Sequence, residues 1–155
     1  MNIYLMQHGR PVPKEENPDR PLSDQGRADV ERMAAFLRKA GVSVQAIFHS
    51  GKTRARETAE IMASKLQSNR ESLEKKGLSP LDDVKGIAHE IEKGQRDLMI
   101  VGHLPHLAKL ASLLTAGNES IPVVSFQQGG VVCLGTAEEE KSWAVAWMVV
   151  PEIIS

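Results

Sequence analysis

Apolar and polar positions along this chain fall into blocks whose spacing switches from that of a strand to that of a helix three times over. Ile3, Tyr4, Leu5 and Met6 form a near-continuous apolar run, which predicts a short buried strand over 2–7 that stops at His8-Gly9. Arg10 to Pro21 holds prolines at 11, 13, 18 and 21 among Lys14, Glu15, Glu16 and Asp19, and reads as a loop. Ser23 or Asp24 caps a helix over about 24–39, where Val30, Met33, Ala34 and Leu37 recur at helical spacing before Gly41. Val44 to Phe48 is the second apolar run. It leads through His49-Ser50-Gly51 into a helix over about 52–67, with Ala55, Thr58, Ala59, Met62 and Leu66 on one face.

Gln67 to Leu78 is polar and carries no clear period, and Ser79 to Asp83 reads as a turn feeding a short helix through Ile87, Ile91 and Glu92. Leu98 to Val101 is a third buried strand, ending at Gly102-His103. Pro105 suits the first turn of a helix whose apolar face is Leu107, Leu110, Ala111 and Leu114. Val131 to Leu134 and Trp143 to Val150 read as an antiparallel hairpin joined around Ala137 to Lys141, with Trp143 and Trp147 in core and edge packing. Strands alternating with helices and closed by a hairpin predict an α/β fold over residues 1–155 as one domain. Its form is a three-layer α/β/α sandwich, with a mostly parallel central sheet and right-handed crossovers.

Composition narrows the function classes. Of 155 residues, 41% are hydrophobic and 25% charged, as in ordinary folded domains, so collagen, coiled-coil and disordered readings fall away. Nineteen Lys and Arg against 20 Asp and Glu leave a formal net charge of −1, which gives no global field for nucleic acid or an anionic membrane. Any anion site must be local. The single Cys133 cannot form an internal disulfide and fits a reducing compartment. The opening apolar run has no basic leader, and no stretch approaches the roughly 20 residues that span a bilayer, so a cytoplasmic protein is expected.

In open parallel sheets ligands gather at the carboxyl ends of the strands. Three such ends carry notable residues: His8, then Ser50 with Arg54 one helical turn on, then His103. Taken singly these are ordinary turn, capping and helix-surface residues. Together, two imidazoles and a guanidinium beside helix N-termini suit an oxyanion, and a neutral imidazole among cations can act as a nucleophile. His49, His89 and His106 are assigned to surface or packing roles. Spacing gives no metal site, and no cofactor is expected.

Four ordered motifs carry a resemblance over nearly the whole chain. Gln7-His8-Gly9, Arg20-Pro21-Leu22-Ser23 with Gly26, Ser50 to Ala55 with Thr58-Ala59-Glu60, and Val101 to Pro105 resemble the histidine phosphatase superfamily. Within it, the compact length, Gly77-Leu78-Ser79-Pro80 with Asp82-Asp83, and Gly129-Gly130-Val131 are similar to the SixA-type phosphohistidine phosphatase branch. The resemblance implies a phosphoglycerate mutase-like fold. It also implies that His8 takes the phosphoryl group, that Arg54 and His103 bind its oxygens, and that water then hydrolyses the phosphohistidine. A phosphohistidine-bearing protein is the partner expected on this reading. Glu57 and Glu60 are read as partners of nearby cations.

Two departures shape the functional reading. The family pattern has an arginine before the nucleophilic histidine, and here Gln7 stands there; Arg10 and Arg20 are candidate replacements in the phosphate pocket. Asp82 and Asp83 alone lie where a general acid could serve, in a loosely placed loop. An imidazole leaving group needs less protonation than an alkoxide, which favours N–P substrates. Two alternatives follow: a phospho-ligand-binding module with weak or no turnover because of Gln7, or a broader phosphomonoesterase.

Overall fold

The three continuous apolar runs lie near one another in the middle of a single sheet, as residues apolar on both faces must. In the computed structural model, which describes residues 1–67, 69, 71–94, 96–136 and 142–154, the strands are β1 (Asn2–Gln7), β2 (Ala46–His49), β3 (Leu73–Glu74), β4 (Leu98–Gly102), β5 (Val131–Thr136) and β6 (Trp143–Val149). The helices are α1 (Asp24–Lys39), α2 (Thr53–Leu66), α3 (Lys85–Lys93) and α4 (His106–Ala116). The sheet order is β3-β2-β4-β1-β5-β6. β1 pairs with β4, and β2 with β3 and β4, in parallel, whereas β5 runs antiparallel to both β1 and β6.

Strand alternation divides the apolar residues between two cores. Ile3 and Leu5 of β1, Leu98 and Ile100 of β4, and Val132 and Leu134 of β5 pack on the side of α3 and α4. Their neighbours Tyr4, Met6, Met99, Val101, Val131 and Cys133 pack on the side of α1 and α2. The result is the expected three-layer sandwich with its antiparallel β5–β6 hairpin. The segment 137–141, where the turn was expected, lies outside the described residues. Trp143 is in the core at 5% exposure, and Trp147 packs at the sheet edge with its ring 5.9 Å from that of Tyr4.

The structure departs from the periodicity reading in two places. β2 begins at Ala46 and takes in His49, while buried Val44 precedes it and bonds the end of α2 through the Leu66 carbonyl. β3 was hidden in the aperiodic stretch because it is two exposed residues long, too short to show alternation.

Gly26, in the first turn of α1, lets the chain fold over the start of the site. A Cβ there would collide with the carbonyl of Arg10, which accepts the Ser23 amide at 2.9 Å and the Ser23 hydroxyl at 3.1 Å. The Ser23 hydroxyl in turn caps α1 at the Gly26 amide, 3.0 Å away. Further out, the Val12 amide donates to the Pro21 carbonyl at 2.8 Å. The proline-rich segment is thus a closed loop with fixed ends, and it holds Arg20 in a left-handed conformation at φ 49°.

Candidate active site

Strand order decides which residues meet. β2, β4 and β1 are consecutive in the sheet, so the residues just past their carboxyl ends, Ser50, His103 and His8, stand in a row. The His8 amide continues the ladder by donating to the Gly102 carbonyl at 3.1 Å. His8 and His103 are 6% and 2% exposed, and their ring centroids lie 5.0 Å apart at 50°. Arg54, in the first turn of α2, brings its Nε to 3.3 Å from His8 Nε2.

His8 has the geometry of a prepared nucleophile. Its Nδ1 lies 2.7 Å from the Gly9 carbonyl oxygen. A carbonyl only accepts, so Nδ1 carries the proton and the Nε2 lone pair faces Arg54. Burial, with the charges of Arg54 and Arg20, pushes the His8 pKa down from 6.5 to about 4, against the opposing effect of the Gly9 carbonyl. His8 is therefore neutral at neutral pH.

His103 meets Ser50 through Nε2, 2.6 Å from Oγ, and its Nδ1 is buried without a partner. The same Ser50 hydroxyl accepts the Lys52 amide at 3.3 Å, so it is fixed by the turn into α2 and in turn holds the imidazole. Burial, and then the neighbouring His8, Arg54 and Lys52, lower the His103 pKa to about 3. Of the two forms open to it, His103 acts as a neutral, hydrogen-bonded imidazole.

Thr58, fully buried on α2, is a positioning residue that the sequence showed only as a member of a motif and of the helix's buried face. Its hydroxyl accepts the Gly9 amide at 3.0 Å and donates to the Arg54 carbonyl at 2.7 Å, tying the His8 turn to the helix that carries Arg54. Thr58→Val keeps the shape but leaves the Gly9 amide buried and unpaired. We expect it to lower stability by about 1–3 kcal/mol in urea unfolding and to cut turnover, with Thr58→Ser restoring both.

The remaining candidates divide. Gln7 is 9% exposed beside His8, and its Oε1 is buried without a partner. Arg20 adds its charge to both His8 and Arg54. Arg10 lies apart, because the closed loop turns it toward a cavity of about 300 Å³ shared with Gln25, Asp29, Arg32 and Glu152. Asp82 accepts the Ser79 amide and Asp83 the Lys85 amide, each at 2.9 Å, so both carboxylates serve their own loop. Glu57 accepts the Leu22 amide at 2.8 Å and pairs with Arg27 at 3.3 Å, while Glu60 pairs with Arg56 at 3.5 Å. His49 and His106 are buried packing residues and His89 is exposed. Cys133 is buried, and burial raises its thiol pKa to about 11, so it is unreactive.

The low histidine pKa values also fix a stability trend. Below pH 6.5 the unfolded chain protonates both residues, whereas the folded chain does not until about 4 for His8 and about 3 for His103. Stability therefore falls as pH is lowered through this window, and His8→Asn with His103→Asn should flatten the slope by close to two protons. Urea midpoints taken between pH 7 and 4 measure it.

The model of the histidine phosphatase superfamily (branch 1) matches residues 3–82. A protein of Picosynechococcus sp. (strain ATCC 27264 / PCC 7002 / PR-6), itself uncharacterized, is 29% identical over 126 residues, covering 76% of this chain and 75% of its own. The structure of the protein histidine phosphatase SixA complexed with tungstate superposes with a TM-score of 0.84 at 20% identity, over 97% of both chains. Phosphoserine phosphatase from Entamoeba histolytica in complex with 3-phosphoglyceric acid superposes at 0.68 with 14% identity, over 95% of both. Among the described residues no helix is long and apolar enough to cross a membrane.

Proposed function

The chain belongs to the histidine phosphatase superfamily, and on that premise we propose that this phosphatase hydrolyses phosphohistidine on a protein or peptide, with His8 as its nucleophile. The observation that carries this reading is the charge around the two imidazoles. Among the described residues, Arg54, Arg20 and Lys52 add positive charge at His8 and His103, while Asp82 and Asp83, in the neighbouring cavity that Ser50 also lines, accept amides of their own loop. An ester substrate leaves as an alkoxide and needs an acid within reach of the leaving oxygen. An imidazole is a far better leaving group, which takes its proton from solvent.

On this reading His8 Nε2 attacks phosphorus while the bond from phosphorus to the substrate nitrogen breaks. Arg54, Arg20 and the His103–Ser50 pair receive the charge on the equatorial oxygens. Water then attacks the phosphoryl group on His8, releasing inorganic phosphate and neutral imidazole. Gln7 offers an amide where the family pattern has a guanidinium, so one charged fork is missing from the pocket. Arg20 supplies part of the lost charge. A cytoplasmic setting, where such substrates and a free thiol coexist, belongs to the same reading.

The test is phosphate release from a phosphohistidine peptide and from a phosphoserine peptide of the same sequence, with His8→Ala as blank. We expect wild type to turn over the N–P substrate preferentially, and Gln7→Arg to raise its rate about 10²–10³-fold. Equal or greater ester hydrolysis would favour the broader phosphomonoesterase. No release by wild type, with release by Gln7→Arg, would make this chain a phospho-ligand binder.

A further inference from the structure

His49 does more than pack at the end of β2. It is 4% exposed, and its Nδ1 accepts the Gly51 amide at 3.0 Å. An amide only donates, so Nδ1 carries the lone pair and, in the neutral ring, the proton sits on Nε2. This is the opposite tautomer to that of His8. Burial lowers the His49 pKa from 6.5 against Glu74 and Glu60, which raise it, and Arg56 lowers it further, so the ring is neutral at neutral pH.

The bond closes a turn from a side chain to the amide two residues on, in the manner of an Asx turn. A second turn of the same kind overlaps it, since the Ser50 hydroxyl accepts the Lys52 amide. That contact is 3.3 Å long, beyond the usual range of about 2.7–3.2 Å for such a bond, so the shape of the turn rests chiefly on His49. Gly51 itself is at φ +91°, and a Cβ there would meet the Glu74 carboxylate at 2.5 Å, so the turn needs glycine and leaves its amide for the preceding ring to hold. The ring has a rigid mount. The His49 backbone lies between two strands, in register with Val101 of β4 and accepting the Lys75 amide at 2.9 Å beyond β3.

We propose that His49 is a positioning residue for the phosphate pocket: its Nδ1, mounted on the sheet, holds the Gly51 amide and so fixes the Ser50 hydroxyl at 2.6 Å from His103 Nε2. His49 acts through Ser50 and not on the phosphoryl group. Without its acceptor, the turn keeps only the long Ser50–Lys52 contact, and the hydroxyl that orients His103 loses its fixed place. The assignment rests on the phosphate pocket of the proposed reading, whichever phosphoryl group is carried into it.

The test compares His49→Asn, His49→Leu, Ser50→Ala and the double variant His49→Leu, Ser50→Ala in the full chain. Each is read by kcat/KM on a phosphohistidine peptide and by calorimetric binding of inorganic phosphate, beside urea midpoints. Asn can offer its carbonyl to the same amide and should stay within about threefold of wild type, whereas Leu fills the space but accepts nothing and should lose about tenfold. Because the two residues act along one path, the double variant should lose no more than the larger single loss. A wild-type level in His49→Leu, or losses that multiply in the double variant, would overturn the assignment. Nitrogen NMR of the wild-type histidines needs no variant and guards against a folding defect. It should show His49 protonated on Nε2 at neutral pH, and a proton on Nδ1 would equally overturn the assignment. If wild type does not turn over the peptide, the phosphohistidine reading fails, while phosphate binding still decides the role of His49.

Discussion

His8→Ala is expected to lower turnover by about 10⁴-fold or more while phosphate still binds within about tenfold of wild type. The large loss follows from chemistry. Nε2 is the atom that would bond to phosphorus, and removing a covalent nucleophile from a set that acts as a unit forfeits most of the catalysis. The retained binding follows from geometry. Arg54, Arg20 and the His103–Ser50 pair are held by α2, the closed loop and β4, none of which depends on the His8 ring. The fold should also survive, since the His8 backbone bonds to Gly102 and Gly129 remain. Isothermal titration with inorganic phosphate beside a turnover assay separates the two effects. A parallel loss of both would mean that His8 binds and does not react.

Arg54→Ala should cost about 10³–10⁵ in turnover, in the range of other arginines that stabilise a transferring phosphoryl group. Its guanidinium sits against His8 Nε2, so it can touch both the attacking nitrogen and an equatorial oxygen. Burial and Arg20 lower its pKa, but a guanidinium stays charged under any folding condition. With Gln7 in place of an arginine, Arg54 is, among the described residues, the one guanidinium that hydrogen-bonds the His8 ring. Arg54→Lys should therefore recover only a small part of the loss, since a point charge cannot replace two parallel donors. The Thr58 bond is to the Arg54 backbone, so the helix stays in place and the loss reads as chemistry. Steady-state kinetics of both variants, with unfolding midpoints, check this. A loss under tenfold would put Arg54 outside the transition state.

Much of this was legible in the sequence because the local signals agreed. The runs at Ile3, Val44 and Leu98 are apolar on both faces, and each ends on a residue with chemistry, so a parallel sheet had to bring those residues to one edge. Length and period gave α1 and α2 to within one residue at each end, and the apolar face of α4. Charge and hydrogen bonding were less legible. By distance in sequence from His8, Arg10 stands nearer than Arg20, and only the bonds that close the proline-rich loop and the left-handed turn at Arg20 reverse that order. Thr58 looked like one more small residue on a buried helix face. Its role depends on the Gly9 amide, 49 residues away, which no local pattern encodes. The same holds for Ser50, whose partner His103 is 53 residues on.

The most direct test of the account follows the phosphoryl group itself. The wild-type chain is mixed with a phosphohistidine peptide, quenched in alkali within the first turnover, digested, and the fragment spanning His8 is examined by mass spectrometry. The account predicts a single acid-labile phosphoryl group on His8, which decays as inorganic phosphate appears and is missing in His8→Ala. Phosphate release with no phosphoryl group on His8 at any time, or with the group on another residue, would contradict it.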